Sequence, residues 1–208
     1  MLILASASQA RRNLLEQLSI KYAVMVSHID EGKYNSQNVK ELVQALSFAK
    51  TESVVSEYIF NCRKENKALA ILGCDSLFEF DGEILGKPRN KSEAICRLEK
   101  FSSKSGILHT GHCLMYRQNL NNKVIGKSFD GIICDVVSTR INFSELSNVE
   151  ITKYVETGEP INCAGGFAID GKGAVFIKSI EGCYSNVIGL SLPWLRYALN
   201  KAGMSLWK

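Results

Sequence analysis

The spacing of apolar residues in the first part of the chain predicts alternating strands and helices. Uninterrupted apolar runs, typical of strands buried in a sheet, occupy 2–5, 22–26 and 68–73. Helical spacing occupies two segments, one containing Leu14, Leu15 and Leu18 and the other covering 39–60. The stretch 28–38 is polar and is predicted to be a loop. Strands that alternate with helices in this way indicate an α/β fold.

Hairpins and shorter helices are predicted for the rest of the chain. In LFEF-DG-EILG, the pair Asp81-Gly82 favours a type I′ turn between two short strands. Ser147 and Glu150 form a capping-box pattern for a helix that ends near 158–160. The other predicted elements are helices at 91–101 and 194–201, strands at 107–116, 123–140 and 174–180, and an Asn-rich turn at 119–122. We therefore predict a single α/β domain over 1–208, with a mixed sheet, flanking helices and no linker.

Charge and hydropathy argue against two broad classes of protein. The 208 residues include 25 Lys and Arg against 21 Asp and Glu, a net charge of +4, and the basic residues are scattered. This excess permits an anionic ligand but does not predict long nucleic acid, which usually needs a basic stripe. No apolar run reaches the length of a membrane span. The start MLILASASQARR reverses the order of a signal peptide, so we expect a cytoplasmic protein without membrane association.

The cysteines and histidines do not predict a metal centre. The seven cysteines are odd in number and include no C-x-x-C pair, so reduced thiols are favoured over a zinc knuckle or a disulfide framework. Cys74 is predicted to be a poor nucleophile, because the neighbouring Asp75 would raise the pKa of its thiol. His109 and His112 would lie on opposite faces of a strand, which argues against a shared metal ion.

The first candidate for chemistry lies between the first strand and the first helix. Ser6, Ser8, Arg11 and Arg12 would place two hydroxyls and two guanidinium groups at a helix N-terminus, where free N–H groups favour an anion. That pattern predicts a phosphate cradle. The alternative interpretation is an ordinary N-cap followed by solvated arginines.

The second candidate is Asp75, which would lie just past a buried strand. Ligands of open α/β sheets bind beyond the carboxyl ends of strands. A carboxylate there can bind a metal ion or accept a proton from water. The alternative is an Asp that caps a turn.

Other candidate residues are weaker when each is taken alone. Lys87 follows Gly86 at the end of the hairpin, but the rest of a P-loop is absent. Glu31 in the polar loop and Lys50 on the long helix could be solvated surface charges. The small residues of 162–171 indicate either backbone pressed against a ligand or a tight crossover packed on the sheet.

Taken together and in order, these segments resemble the Maf family of nucleotide pyrophosphatases. The matching motifs cover nearly the whole chain, and eight of them in the right order are specific although each is modest. They are LILASAS-x-x-RR-x-LL at the start, DE at 30–31, the Lys50 helix, GCDSLFEFDGEILGKP at 73–88, HTGHCL at 109–114, YVETGEP at 154–160, CAGGFAIDGKG at 163–173 and SNVIGLSL at 185–192.

The resemblance implies a fold, a reaction and roles for particular residues. The fold would be similar to that of inosine triphosphatase, an elongated mixed sheet with two lobes around a central cleft. The reaction would cleave a nucleoside triphosphate between its α and β phosphates, with Mg²⁺, or Mn²⁺ or Co²⁺, as a divalent cofactor and a homodimer as the common assembly. Asp75 would accept the proton of water, and Glu31 would hold the metal with it or assist that water. Ser8, Arg11, Lys50 and Lys87 would contact the phosphates.

Departures from the family pattern leave the base and the role open. Ala10, where the dTTP/UTP branch carries an arginine, and Asp170, where it carries a glutamine, resemble the 7-methyl-GTP branch. The SNVIGL segment and Gly171-Lys-Gly173 resemble the dTTP/UTP branch instead. Ala10, Ser76 and Asp170 are therefore the predicted specificity positions. The alternative function is a nucleotide-binding regulator of septum formation with little turnover.

Overall fold

The structure is a computed structural model that describes residues 1–61, 69–117, 119–120, 123–124 and 129–206. Its strands are β1 (Leu2–Leu4), β2 (Tyr22–Val24), β3 (Ala70–Phe80), β4 (Glu83–Leu85), β5 (Ser105–Tyr116), β6 (Asn119–Leu120), β7 (Lys123–Val124), β8 (Gly131–Phe143) and β9 (Ile177–Glu181). Its helices are α1 (Gln9–Gln17), α2 (Val39–Asn61), α3 (Lys91–Phe101), α4 (Asn148–Glu156), α5 (Tyr184–Ile188) and α6 (Leu192–Lys201). Across these residues, no helix combines the length and apolar character needed to cross a membrane.

The predicted mixed sheet is confirmed and consists of seven strands. The strands lie in the order β2-β1-β3-β5-β8-β9, and β4 pairs with the second half of β3. β1 is parallel to β2 and β3, whereas β3, β5, β8 and β9 are antiparallel neighbours. The small β6–β7 hairpin stands apart from this sheet, and the tip of the Asn-rich turn at 121–122 lies outside the described residues.

The strand β3 is longer than predicted, and this changes the placement of Asp75. The apolar run indicated an end at Gly73, but β5 pairs with β3 continuously from Ala70 opposite Tyr116 to Glu79 opposite Ile107. The polar residues after Gly73 therefore stay in the ladder, because their backbone groups are satisfied there. Asp75 lies inside the strand, so its placement just past a strand end was wrong.

Two sets of apolar clusters flank the middle of β3. Leu72 and Cys74 pack with α1 and α6 near one end, whereas Phe78 packs with α3 and α4 at the other end. On the opposite face of the first end, Ile71 packs under α2. Asp75 and Ser76 therefore occupy the point where one cluster stops and the next begins. Polar side chains are tolerated there without leaving a gap in either cluster.

Local sequence patterns correctly predicted most of the other helices and turns. The type I′ turn is confirmed, since Asp81 and Gly82 have φ of 52° and 78°. The capping box is confirmed as well: Ser147 Oγ accepts the Glu150 N–H, while the Glu150 carboxylate accepts the Ser147 N–H. Pro193 lies in the first turn of α6, as expected for a proline that opens a helix.

The predicted strand at 174–180 was partly wrong. Residues Lys172–Phe176 form a 3₁₀ turn, and β9 begins only at Ile177. The N–H groups of Lys172 and Gly173 bond to the Glu159 carboxylate instead of a neighbouring strand, which holds this segment out of the sheet. The predicted strand at 123–140 is found as β7 and β8, with 125–128 outside the described residues. The short helix α5 was not predicted.

Candidate active site

A cleft of about 930 Å³ collects nearly all of the predicted site residues. The predicted residues that line it are Ser6, Ser8, Ala10, Arg11, Glu31, Lys50, Asp75, Ser76, Lys87 and Asp170. They come from segments as far apart in sequence as the start of α1 and the loop before β9. Of the predicted set, Arg12 does not line the cleft.

Three charged side chains meet at the centre of this cleft. Lys50 Nζ lies 2.5 Å from Asp75 Oδ1 and 2.8 Å from Glu31 Oε1. The Lys50 and Asp75 side chains are nearly buried, whereas that of Glu31 is more than half exposed. Both carboxylates therefore contact the Lys50 ammonium group, and this cluster of charges is open to solvent on the side of Glu31.

Strand alternation and a close helix contact bring Lys50 to Asp75. Asp75 has the same parity along β3 as Ile71 and Gly73, so these residues share the face covered by α2. A Cβ on Gly73 would clash with Thr51 and with the backbone of α2, so glycine lets the helix approach the strand closely here. Lys50, one residue before Thr51, is thereby held within reach of Asp75.

The environment makes Asp75 more basic than an ordinary aspartate. Asp75 is 8% exposed, and burial raises the pKa of its carboxyl, while the ammonium group and hydrogen bond of Lys50 act in the opposite direction. The net direction is upward, because desolvation of the charged form outweighs the attraction. A carboxylate with a raised pKa is better suited to accept a proton from water.

Arg11 is fixed on the opposite face of β3 from Asp75. Its Nε donates to Gly189 O at 2.8 Å, its Nη1 to Ser6 Oγ at 3.1 Å and its Nη2 to Ser76 Oγ at 3.0 Å. The residue is only 9% exposed. Three of its five N–H groups are thus used by the protein, which leaves two for a ligand in the cleft.

Ser76 contacts Arg11 through its hydroxyl group. Because Ser76 Oγ accepts from Arg11, its own proton is available to Thr110 Oγ1 at 3.0 Å, and Thr110 in turn donates to Asn186 O at 3.3 Å. Sequence reasoning did not single out Thr110 or Asn186. The HTGH and SNVIGL motifs that contain them were the available signal, but neither showed that the two meet.

The start of α1 combines the two interpretations that the sequence left open. Ser8 is the N-cap residue and accepts the Arg11 N–H at 3.4 Å, as the structural interpretation required. Ser6 Oγ accepts the Ser8 N–H at 3.2 Å and the guanidinium of Arg11. Both serines nevertheless line the cleft, so the capped helix end faces the same space as Lys50 and Asp75.

Part of the cleft wall is built by the loop that follows α4. Glu159, Cys163 and Asp170 line the cleft from this segment. Burial raises the pKa of the Cys163 thiol to about 11, and the charges of Glu159 and Asp170 add to the effect. Glu159 was not predicted, although it lies in the YVETGEP motif.

The histidines and Cys74 take no part in the cleft. His109 contacts Ser138 and Glu79, whereas His112 Nε2 accepts the Ser191 N–H. The two histidines are three residues apart in the continuous strand β5, so the predicted placement on opposite faces is confirmed. The pKa of Cys74 is raised to about 11, mainly by burial and only secondarily by Asp75, so the predicted poor nucleophile is confirmed with a different main cause.

A known protein family matches nearly the whole chain. The Maf-like protein family matches residues 1–202. The chain belongs to the Maf-like protein family.

Curated relatives in this family match the chain over nearly its whole length. A protein of Prochlorococcus marinus (strain NATL2A), named nucleoside triphosphate pyrophosphatase, is 49% identical over 205 residues, which cover 99% of this chain and 97% of the relative. Proteins of the same name from Synechococcus sp. (strain CC9311) and Parasynechococcus marenigrum (strain WH8102) are 44% and 45% identical. The first of these matches covers 94% of this chain and 97% of the relative, and the second covers 98% and 97%. The resemblance seen in the motifs is therefore confirmed.

Proposed function

We propose that this chain is a nucleoside triphosphate pyrophosphatase that cleaves between the α and β phosphates. The observation that carries the proposal is the meeting of Asp75, Lys50 and Glu31 in a cleft that also contains the capped start of α1. The curated relatives carry the name of that activity. A cleft that contains a carboxylate with a raised pKa and several cationic side chains is suited to hydrolysis of an anionic anhydride.

The chemical step follows from the placement of these groups. Water attacks the α phosphorus while Asp75 accepts its proton, the bond between the α phosphorus and the bridging oxygen breaks, and the electron pair leaves with pyrophosphate. Arg11, Lys87 and the N–H groups of α1 stabilise the negative charge that moves onto the leaving group. Lys50 keeps Asp75 ionised, since an ammonium group at 2.5 Å favours the charged carboxylate. The products are a nucleoside monophosphate and pyrophosphate.

A divalent metal fits the donor set of this site. Mg²⁺ is usually bound by one or two carboxylates together with water and substrate phosphates. Glu31 and Asp75 supply two such carboxylates, and the described residues contain no group of three or more His, Cys, Asp or Glu side chains that would hold a metal on its own. We propose that Glu31 and Asp75 hold Mg²⁺, or Mn²⁺ or Co²⁺, together with the substrate. When bound, the cation would neutralise phosphate charge.

Recognition of the preferred base is assigned to Asp170. This residue lines the cleft, and a carboxylate can accept hydrogen bonds from a guanine edge or favour a cationic methylated base. We retain 7-methyl-GTP and dTTP/UTP as the candidate substrates. A homodimer in the cytoplasm remains the prediction for assembly and location.

A substrate panel tests the proposed reaction directly. The purified chain would be incubated with dTTP, UTP, CTP, GTP, 7-methyl-GTP and ITP in Mg²⁺, Mn²⁺ or Co²⁺, with pyrophosphate and orthophosphate assayed separately. We expect pyrophosphate from one or two nucleotides and its loss after chelation by EDTA. Release of orthophosphate alone would contradict cleavage between the α and β phosphates. Nucleotide binding without release of either product would favour the regulator of septum formation.

A further inference from the structure

One carboxylate in the cleft accepts three hydrogen bonds from the protein itself. Glu159 Oε1 accepts the Tyr154 hydroxyl at 2.8 Å and the Gly173 N–H at 3.0 Å, and Oε2 accepts the Lys172 N–H at 3.0 Å. An ionised carboxylate offers about four acceptor positions, so three internal donors use most of its capacity. Glu159 is therefore placed to hold neighbouring groups in position rather than to bind a ligand directly.

The groups that Glu159 holds belong to the loop that contains Asp170. Tyr154 Oη, which donates to Glu159, also accepts the Ala168 N–H at 3.2 Å. The segment from Ala168 to Gly173 is thus tied at both ends to one Tyr–Glu pair. Asp170 lies between these two points of attachment and lines the cleft.

Two glycines show how closely the loop approaches Glu159 and Tyr154. A Cβ on Gly171 would lie 2.5 Å from Glu159 Oε2, and a Cβ on Gly173 would lie 2.5 Å from Tyr154 Oη. Real Cβ atoms do not approach oxygen so closely, so a side chain at either position would displace the loop or the Glu159 and Tyr154 side chains and disturb their contact. The Gly171-Lys-Gly173 sequence is therefore explained by contact with Glu159 and Tyr154.

The ionisation of both groups agrees with this arrangement. Partial burial opposes ionisation of Glu159, but the N–H groups of Lys172 and Gly173 and the Tyr154 hydroxyl together lower the pKa of its carboxyl. Burial, followed by the hydrogen bond to Glu159, raises the pKa of Tyr154. The pair therefore keeps a charged acceptor and a neutral donor at neutral pH, which are the states that the hydrogen bonds require.

We propose that Glu159, acting through Tyr154 and the amides of Lys172 and Gly173, is a positioning residue that fixes the Asp170 loop and thereby sets nucleotide affinity and base selectivity. The inference rests on the proposed function, because selectivity is measured on that reaction. Glu159 has no role at the phosphates in this proposal, since its carboxylate is hydrogen-bonded to the loop and to Tyr154. Its removal should change KM and selectivity far more than kcat.

The first experiment measures the loop without using activity. Hydrogen exchange of individual amides would be compared in the wild type, Glu159→Gln and Glu156→Gln, a control at an exposed residue in the last turn of α4, the helix that carries Tyr154. In Glu159→Gln an amide N–H₂ group must face one of the two backbone donors, so exchange should accelerate at Lys172 or Gly173, whichever N–H has lost its acceptor. The amide of Gly165, which donates to Gly86 O at 3.1 Å, should be unchanged in both variants.

The second experiment measures the consequence for the reaction. For Glu159→Gln and Tyr154→Phe we expect KM to rise about tenfold and kcat to change less than about threefold, because a loop in place only part of the time lowers apparent affinity by that fraction. The ratio of kcat/KM between the preferred nucleotide and the next best in the panel should fall. Tyr154→Phe keeps the buried ring and all charges, so it separates loss of the hydrogen bonds from loss of negative charge.

The outcomes distinguish this inference from the proposed function. A wild type that releases no pyrophosphate from any nucleotide contradicts the proposed function, and the exchange experiment still tests the anchoring role. Unchanged exchange at Lys172 and Gly173 in Glu159→Gln overturns the inference. Accelerated exchange with unchanged KM and selectivity in both variants overturns it as well, as would an equal fall of kcat for every nucleotide.

Discussion

Replacement of Asp75 by asparagine should separate catalysis from stability. Asparagine has nearly the same shape and cannot accept a proton from water. Loss of a general base typically costs about 10²–10⁴-fold in rate, which corresponds to roughly 3–5 kcal/mol in the activation barrier. We therefore expect kcat for the preferred nucleotide to fall by at least about a hundredfold.

The same substitution should not destabilise the fold. The pKa of Asp75 is raised, mainly by burial, so its ionised form is less favourable in the folded chain than in the unfolded chain. A neutral asparagine removes that penalty, and Lys50 keeps Glu31 as a partner at 2.8 Å. The variant should therefore have a Tm equal to or above that of the wild type at pH 7.

Two assays and a control complete this test. Pyrophosphate release at saturating nucleotide gives kcat, and thermal unfolding at pH 7 gives Tm, for Asp75→Asn, for the wild type and for Asp135→Asn, which changes an exposed aspartate on β8. Activity within tenfold of the wild type would refute the assignment of Asp75 as the proton acceptor. A Tm lower by more than about 3 °C, which is roughly 1 kcal/mol for a chain of this size, would refute the argument that burial penalises its charge.

Two further substitutions probe the site and the fold separately. Lys50→Met removes the charge that lowers the pKa of Asp75, so the acid limb of the pH profile of kcat/KM should move to higher pH. Lys50→Arg keeps the charge and should leave the limb near its wild-type position. A limb that stays in place or moves to lower pH in Lys50→Met would contradict the role of Lys50. Ser147→Ala removes the N-cap of α4, a residue that does not line the cleft. The change should cost about 1 kcal/mol, a fall in Tm of about 2–4 °C, with kcat unchanged. A Tm equal to that of the wild type would show that the capping box adds nothing to stability.

Hydrophobic periodicity and turn chemistry determined most of the elements of this protein. The runs that form β1 and β2, the helical spacing of α2, the Asp81-Gly82 turn and the Ser147 capping box depend on neighbours within a few residues. Such signals can be read from sequence because the groups that satisfy the backbone lie nearby along the chain. The residue types of the phosphate site were visible for the same reason, since the start of α1 is a short local motif.

Only the tertiary structure decided how distant residues meet. The length of β3 depends on β5, which comes from a later part of the chain, pairs with it from Ala70 to Glu79 and keeps Asp75 inside the ladder. Glu31, Lys50 and Asp75 come from a loop, a helix and a strand, and their contact depends on the close packing of α2 against Gly73. The hydrogen bonds between Glu159 and the Asp170 loop likewise depend on how residues 154–173 fold together. Contacts of this kind are fixed by packing between elements, and no local pattern in the chain encodes the distance between two such side chains.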